Sequence, residues 1–235
     1  MIPTSRSRYL IENLLTYCGH VHETHVWQDF PEKLIRIYVL QKQLVDRLTY
    51  VLRYEGQEYY ELEIKGFKRK LPLVQVSPDT WIAYFDSLGD KEFINHCAKE
   101  LYKHLVTCDI LMTTESKGIA LVHELANMLN HGFYVVCRKE IKPFMRDPIF
   151  VSYKPITSSK ELILCIDGRY KEKIVGKRVG IIDDIVSTGE TLNAMEEIVM
   201  RAGGIVEKRA AILLEGNKRD DVIYLGILPI FKRAV

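Results

Sequence analysis

The chain has 235 residues, which is enough for one large domain or for one domain with a small appendage. Apolar residues make up 47% of it and charged residues 27%, a composition that excludes an intrinsically disordered chain. The 33 Lys and Arg residues against 31 Asp and Glu residues give a net charge of +2, which does not favour a nucleic-acid partner. Any phosphate must therefore be bound through local placement of groups.

The N-terminus and the cysteines favour a cytoplasmic protein. The segment MIPTSRSRYL lacks the apolar core of a signal peptide, and no run of about 18 uncharged apolar residues could span a membrane. The cysteines are odd in number and lack CxxC spacing, so we expect buried small side chains in a reducing compartment. They are Cys18, Cys97, Cys108, Cys137 and Cys165.

We place a domain boundary near the basic run Lys65–Lys70, between an N-terminal extension, residues 1–65, and a larger domain, residues 66–235. A short charge run is usually a solvated face, and that reading is preferred here over nucleic-acid binding. In the extension, apolar residues at helical spacing from Leu34 to Val51 predict an amphipathic helix. Glu55-Gly56-Gln57 predicts a short hairpin turn.

The extension also contains a cluster of possible metal ligands. Cys18, His20, His22 and His25 form the pattern C-x-H-x-H-x-x-H. These side chains suit zinc, but the spacing matches no standard zinc site, so we favour an ordinary surface turn or strand.

From about residue 91, predicted helices and strands alternate. Nearly continuous apolar strands predict a parallel sheet covered by helices on both faces, an α/β fold that binds ligands at the carboxyl ends of its strands. A long polar loop is expected between the second and third strands. The predicted helices are FINHCAKELYKHL, KGIALVHELANML and TLNAMEEIVMRAGG, and the predicted strands are DILMTT, FYVVCR, ELILCI, RVGIID, KRAAILLEG and VIYLGIL.

The segment Val179–Leu192 has the most informative pattern. A buried strand ends in Asp183 and Asp184, whose carboxylates suit the vicinal hydroxyls of a sugar or a hydrated Mg²⁺. A turn rich in hydroxyls follows, with one glycine, and then a helix begins. Amide N–H groups at such a turn and helix start suit a phosphate, so the pattern points to a ribose 5-phosphate. The alternative is a plain helix cap by Ser187 or Thr188.

VGIIDDIVSTGETL resembles the phosphoribosyl pyrophosphate (PRPP) signature of type I phosphoribosyltransferases, and the likeness covers about residues 90–215. It is most similar to the adenine and xanthine branches, since Ser187 stands where hypoxanthine-guanine enzymes carry an acid. The resemblance implies a parallel sheet with a hood at about residues 66–90, and a homodimer. It also implies that Asp183 and Asp184 hold ribose and Mg²⁺. The implied 5-phosphate turn is Ser187, Thr188, Gly189, Glu190 and Thr191.

Two further segments resemble pyrophosphate-binding parts of the adenine branch. The loop Glu115, Ser116, Lys117 and Gly118 has the family's E-S-x-G pattern, in which one peptide bond is often cis. A plain N-capped helix is the alternative. Arg138, Lys139 and Lys142 match its R-K-x-x-K cluster, with Arg138 implied as catalytic; solvated loop charges are the alternative for the lysines.

The resemblance implies transfer of ribose 5-phosphate from PRPP to a purine, with adenine the first choice and a 6-oxopurine next. Ile185 and the hood aromatic Phe85 are the predicted base contacts, although burial of the hood aromatics is the alternative. The loop Lys142–Ser159 is the predicted lid.

The sequence also departs from the family. Glu190 stands where many members have Gly, and Val151–Lys154 lacks the carboxylate that adenine enzymes carry there. A non-catalytic transcription regulator that senses PRPP is the alternative function. The extension, however, shows no clear helix-turn-helix.

Overall fold

The computed structural model describes residues 50–153 and 161–233, which fall within one unit, Leu48–Val235. The predicted helix from Leu34 lies outside the described residues except at its end, where Val51 begins a strand instead. The Cys18/His20/His22/His25 pattern and the end of the predicted lid also lie outside them.

The described strands and helices follow in chain order. The strands are β1 Val51–Arg53, β2 Tyr59–Ile64, β3 Phe67–Ser77, β4 Thr80–Ala83, β5 Ile110–Thr114, β6 Tyr134–Cys137, β7 Ile149–Tyr153, β8 Leu162–Ile166, β9 Arg178–Val186, β10 Ile205–Glu215, β11 Gly226–Leu228 and β12 Ile230–Lys232. The helices are α1 Lys91–Leu101, α2 Gly118–Met128, α3 Lys171–Ile174 and α4 Glu190–Arg201, with short 3₁₀ turns at Tyr102–His104 and Gly168–Tyr170.

The core sheet is parallel throughout, in the order β11-β10-β9-β5-β6. Side chains of a strand alternate between the two faces. Ile182 accordingly packs with Phe93 of α1 and Leu121 of α2, whereas Ile181 packs with Ile198 of α4. The predicted parallel sheet with helices on both faces is confirmed. The described cysteines are buried and unpaired, as expected.

A second sheet, which we call the hood sheet, has the order β1-β12-β4-β3-β2. Its hairpin turns at Lys65-Gly66, where both residues have positive φ, as the tight turn between β2 and β3 requires. The hairpin predicted at residues 55–57 is wrong, because β1 pairs with β12 instead of β2. The basic run beyond the turn is part of β3, where Arg69 binds Asp90 with two hydrogen bonds of 2.7 and 3.0 Å.

A third, two-stranded antiparallel sheet is formed by β7 and β8. The sequence predicted a polar loop at β7, and that was wrong. The strand forms because Ile149–Tyr153 pairs with β8. The nearby prolines favoured the prediction of a loop, and this pairing depends on tertiary structure. The predicted strand in VIYLGIL is shortened to Gly226–Leu228.

Candidate active site

The turn after β9 forms an open concavity. Gly189 has φ of 85°, and α4 starts directly after it with no side-chain cap. Because the cap position is Gly189, which has no side chain, the alternative of a cap by Ser187 or Thr188 is wrong, and backbone N–H groups form this helix start. A cavity of about 150 Å³ adjoins them, lined by Asp183, Ile185, Val186, Ser187, Thr188, Gly189, Glu190, Thr191 and Leu192. Its size and its amide donors suit a phosphate group, and we call this cavity the phosphate concavity.

Asp183 and Asp184 end up side by side and buried, with 9% and 8% of their surface exposed. Oδ1 of Asp183 accepts the backbone N–H of Asp184 at 3.0 Å, while the buried Oδ2 of Asp184 has no hydrogen-bond partner. Burial raises the pKa of both carboxyls, and the charge of Asp184 raises that of Asp183 further. Burial therefore outweighs the compensation that the protein provides for the pair, and this suits sugar hydroxyls or a cation.

The loop after β5 brings a second helix start against this pair. The peptide bond Glu115–Ser116 is cis, as the resemblance implies. α2 begins at Gly118 without a side-chain cap hydrogen bond, so the alternative of a capped helix is wrong here too. A Cβ at Gly118 would lie 2.1 Å from Oγ1 of Thr113 and 3.7 Å from Oδ1 of Asp183. Glycine is thus required for α2 to start beside the acid pair.

Glu115 fixes the basic residues at the end of β6. Its carboxylate accepts the backbone N–H of Lys139 at 2.8 Å and Nη1 of Arg138 at 3.2 Å. Lys139 is close enough that its charge lowers the pKa of Asp183. Lys142 instead forms an ion pair with the neighbouring Glu140. The structure therefore places Arg138 and Lys139 against Glu115 and pairs Lys142 with Glu140.

A family model for the phosphoribosyl transferase domain matches residues 85–232. The chain belongs to this family. An adenine phosphoribosyltransferase of Methanococcus maripaludis (strain C7) is 28% identical over 144 residues, 59% of this chain and 80% of that one. One from Thermosipho africanus is 29% identical over 150 residues, 62% of this chain and 83% of that one.

Solved structures show the same fold. The adenine phosphoribosyltransferase of Thermoanaerobacter pseudethanolicus has a TM-score of 0.51 at 24% identity and covers 72% of this chain and 95% of its own. That of Rhodothermus marinus has a TM-score of 0.51 at 20% identity, covering 79% and 99%. The chain is a phosphoribosyltransferase with the type I fold.

The segment that follows β4 contacts the loop after β5 through Lys117. Its Nζ donates to the carbonyl of Phe85 at 3.1 Å and lies 5.1 Å from the centre of the Tyr84 ring. The ring of Phe85 is 4% exposed and packs edge-on against Phe93. This burial argues against the predicted stacking of Phe85 on a base, because the ring fills the core beneath the hood. Trp81 is also buried, stacked on Tyr54.

Magnesium fits the acid pair as a partner shared with substrate. Within residues 50–153 and 161–233 no group of three or more His, Cys, Asp or Glu residues is arranged to hold a metal. Proteins usually bind Mg²⁺ through one or two carboxylates together with water and substrate phosphates. The unpartnered Oδ2 of Asp184 provides such a ligand.

Within residues 50–153 and 161–233, no helix is both long enough and apolar enough to cross a membrane.

One residue that contacts the turn after β9 could not be predicted from the sequence. Nη1 of Arg219, in the connection between β10 and β11, donates to the carbonyl of Thr188 at 2.6 Å. The two residues are 31 positions apart, and the segment around Arg219 reads as an ordinary polar loop. The contact exists because β9 and β10 are parallel neighbours, which brings the segments after them to the same edge.

Proposed function

We propose that this phosphoribosyltransferase transfers ribose 5-phosphate from PRPP to a ring nitrogen of a purine, with adenine the first choice and a 6-oxopurine next. The bond between ribose C1 and a pyrophosphate oxygen breaks, and a bond from C1 to the purine nitrogen forms. The nitrogen loses its proton to water, and pyrophosphate leaves with the electrons of the broken bond. The observation that carries the proposal is the acid pair Asp183-Asp184, buried between two helix starts that have no side-chain caps.

Each part of PRPP has a matching group. The amides of the turn Ser187–Thr191 hold the 5-phosphate. The unpartnered carboxylate oxygen of Asp184 accepts from a ribose hydroxyl, and both acids stabilise the positive charge that develops on the sugar. Arg138, Lys139 and the start of α2 hold the leaving pyrophosphate, whose negative charge grows as the bond breaks. Mg²⁺, when bound by Asp183 and Asp184 with the phosphates, supplies further neutralisation of that charge.

The choice of adenine rests on the relatives and on one polar group of the hood. Both relatives compared above are adenine phosphoribosyltransferases. The carbonyl of Phe85 lies within reach of the pyrophosphate loop, since Lys117 donates to it at 3.1 Å. A carbonyl oxygen has two lone pairs, so it can accept a second hydrogen bond beside that of Lys117. An acceptor suits the amino group of adenine better than the oxygen of a 6-oxopurine, because two acceptors facing each other leave both unpaired. Ile185, which lines the phosphate concavity, is the proposed apolar contact of the base.

The test is a screen of adenine, hypoxanthine, guanine and xanthine with PRPP and Mg²⁺, measuring pyrophosphate release. We expect turnover with adenine and much slower turnover with the other purines. Preference for hypoxanthine or xanthine would reassign the base. If PRPP binds tightly in calorimetry while no purine is turned over, the enzyme proposal fails and the PRPP-sensing regulator replaces it.

A further inference from the structure

We propose that Arg219 is a positioning residue for the 5-phosphate: it holds the Thr188 carbonyl so that the Gly189 N–H faces the phosphate concavity. This rests on the proposed function of the concavity. The side chain of Arg219 is 21% exposed, and its Nη1 donates to the Thr188 carbonyl at 2.6 Å. Arg219 does not line the concavity itself, so it acts through the turn and not by touching the phosphate.

The hydrogen bond from Arg219 to the Thr188 carbonyl also sets the direction of the Gly189 N–H, because both groups belong to one planar peptide unit. Among the described residues Glu115–Ser116 is the cis peptide bond, so Thr188–Gly189 is trans. In a trans peptide the C=O and N–H bonds point in opposite directions. With the Thr188 carbonyl directed at Arg219, the Gly189 N–H is directed to the opposite side. Gly189 lines the concavity, so the N–H is available there for an anion.

The packing around Gly189 shows how close the guanidinium lies. A Cβ added at Gly189 would lie 2.2 Å from Nη1 and 2.7 Å from Cζ of Arg219. Gly189 also has φ of 85°, a conformation that favours glycine. The glycine therefore meets two requirements at once, the left-handed turn and the room for the guanidinium. This contact adds a positive charge behind the turn.

A network of ion pairs holds Arg219 in place. Asp221 accepts from its Nε at 3.1 Å and from its Nη2 at 2.8 Å, a two-point geometry that leaves Nη1 for the Thr188 carbonyl. Asp221 also accepts from Arg209 at 3.0 Å, and Arg209 forms an ion pair with Glu196 of α4. The loop bearing Arg219 is thus tied to the helix whose first turn borders the concavity. A lysine could not reproduce this, because its single ammonium lacks the planar fork.

The test compares Arg219→Met, which removes the charge and the donors, with Arg219→Lys, which keeps the charge. Lys218→Met is the matched control, because Lys218 is exposed in the same loop and carries the same charge. For Arg219→Met we expect the Kd of ribose 5-phosphate and the KM of PRPP to rise by about 10-fold to 100-fold, the range for a hydrogen bond to a charged group. Arg219→Lys should give a smaller rise, and Lys218→Met none.

Two readouts separate positioning from a general structural role. The Kd of Mg-pyrophosphate and the KM of the purine should stay within about twofold, because those sites lie on other loops. A wild-type Kd for ribose 5-phosphate in both Arg219 variants would overturn the proposal, and so would equal weakening of pyrophosphate binding. If Arg219→Met does not fold in a thermal melt, Arg219→Lys alone decides by the same criteria. Failure of the wild-type protein to bind ribose 5-phosphate would instead contradict the proposed function.

Discussion

Helices α1 and α4 begin in different ways. At α1 the chain supplies its own acceptor: the carboxylate of Asp90 accepts the N–H of Phe93 at 3.1 Å and is itself bound by Arg69. At α4 the corresponding position is Gly189, with no side-chain cap, and the helix start opens onto the phosphate concavity. One start is capped by a protein carboxylate, and the other has glycine at its cap position.

The difference separates groups that serve stability from groups that serve binding. Glycine at a cap position stabilises a helix by only about a few tenths of a kcal/mol less than a capping side chain, so its use at α4 lowers the stability of the free protein slightly. The buried pair Asp183 and Asp184 next to α4 adds to that cost, since burial raises the pKa of both carboxyls. We infer that this region is completed by substrate, whereas the start of α1 is complete on its own. The variants below test that contrast.

The largest effect is expected from the acid pair. Asp183→Asn combined with Asp184→Asn should lower transfer by about 100-fold or more, because two carboxylates no longer face the cationic sugar. Pyrophosphate release at saturating PRPP measures this. Near-normal turnover in the double variant would contradict the role given to the pair.

The same variant should stabilise the protein without substrate. The native state of the wild type holds a proton on this pair at a pH where the unfolded state, with Asp pKa of about 3.9, has lost it. Wild-type stability therefore falls as pH rises from about 4 towards the raised pKa of the native pair. Asparagine removes this dependence, so the gain in melting temperature should be larger at pH 8 than at pH 5. An equal shift at both pH values would contradict the sign of the pKa change.

Gly189→Ala should have the next largest effect. It strains a backbone with φ of 85° and places Cβ 2.2 Å from Nη1 of Arg219. Gly176→Ala is the matched control, since Gly176 also has positive φ, 69°, but has nothing within 4 Å of an added Cβ. Both should lose about 1 kcal/mol of stability from the left-handed backbone. Only Gly189→Ala should raise the KM of PRPP, by about 10-fold, because it displaces the guanidinium from the Thr188 carbonyl.

The contrast also shows what the sequence could predict. The alternation of apolar strands with helices was enough to predict the sheet. The apolar residues Val179–Ile182, followed by two acids and a hydroxyl-rich turn, were enough to predict the ligand edge and the open concavity, because these depend on local pattern. The pairing of β1 with β12 and of β7 with β8 could not be predicted. The partner of β1 is distant in the sequence, and the prolines near β7 made that segment resemble a loop. Hence the hairpin at residues 55–57 and the loop at β7 were predicted wrongly.

The direction in which a side chain points could not be predicted from the sequence either. The pattern around Phe85 is aromatic, but whether a ring faces a base or the core depends on the elements packed beneath it, here Phe93 of α1. Arg219 was missed because its partner Thr188 belongs to a different strand–loop unit. The predicted roles of Asp183 and Asp184 in binding ribose and Mg²⁺ stay predictions.

A smaller effect, confined to stability, is expected at α1. Asp90→Ala removes the cap and both hydrogen bonds to Arg69, so we expect a loss of about 1–3 kcal/mol in the free energy of unfolding. Arg69, and then the Phe93 N–H, lower the pKa of Asp90, so its contribution is present above about pH 4 and is lost as pH falls further. Asp90→Asn keeps an oxygen for the cap and should lose less. A raised KM of PRPP in Asp90→Ala would contradict the inference that the start of α1 serves stability alone.

The smallest effects are expected from acids in the first turn of each helix. Glu92, the second residue of α1, and Glu190, the first residue of α4, both lie in a first turn and favour their helices through the positive charge of the helix start. Glu190 also lines the phosphate concavity, where its charge opposes that of a bound 5-phosphate. Glu190→Gln should therefore lower the KM of PRPP, by about twofold to fivefold, even though it removes a favourable charge from the helix.

Glu92→Gln is the matched control for Glu190→Gln. Its side chain is 83% exposed and lies 3.5 Å from Arg69, so we expect a loss of less than about 0.5 kcal/mol in stability and no change in KM. Because the repulsion at Glu190 is electrostatic, the gain in PRPP affinity should shrink as ionic strength rises, when the Debye length falls from about 10 Å at 0.1 M to about 3 Å at 1 M. A KM that rises in Glu190→Gln at every ionic strength would mean that this carboxylate supports the turn, so that α4, like α1, supplies part of its own anion.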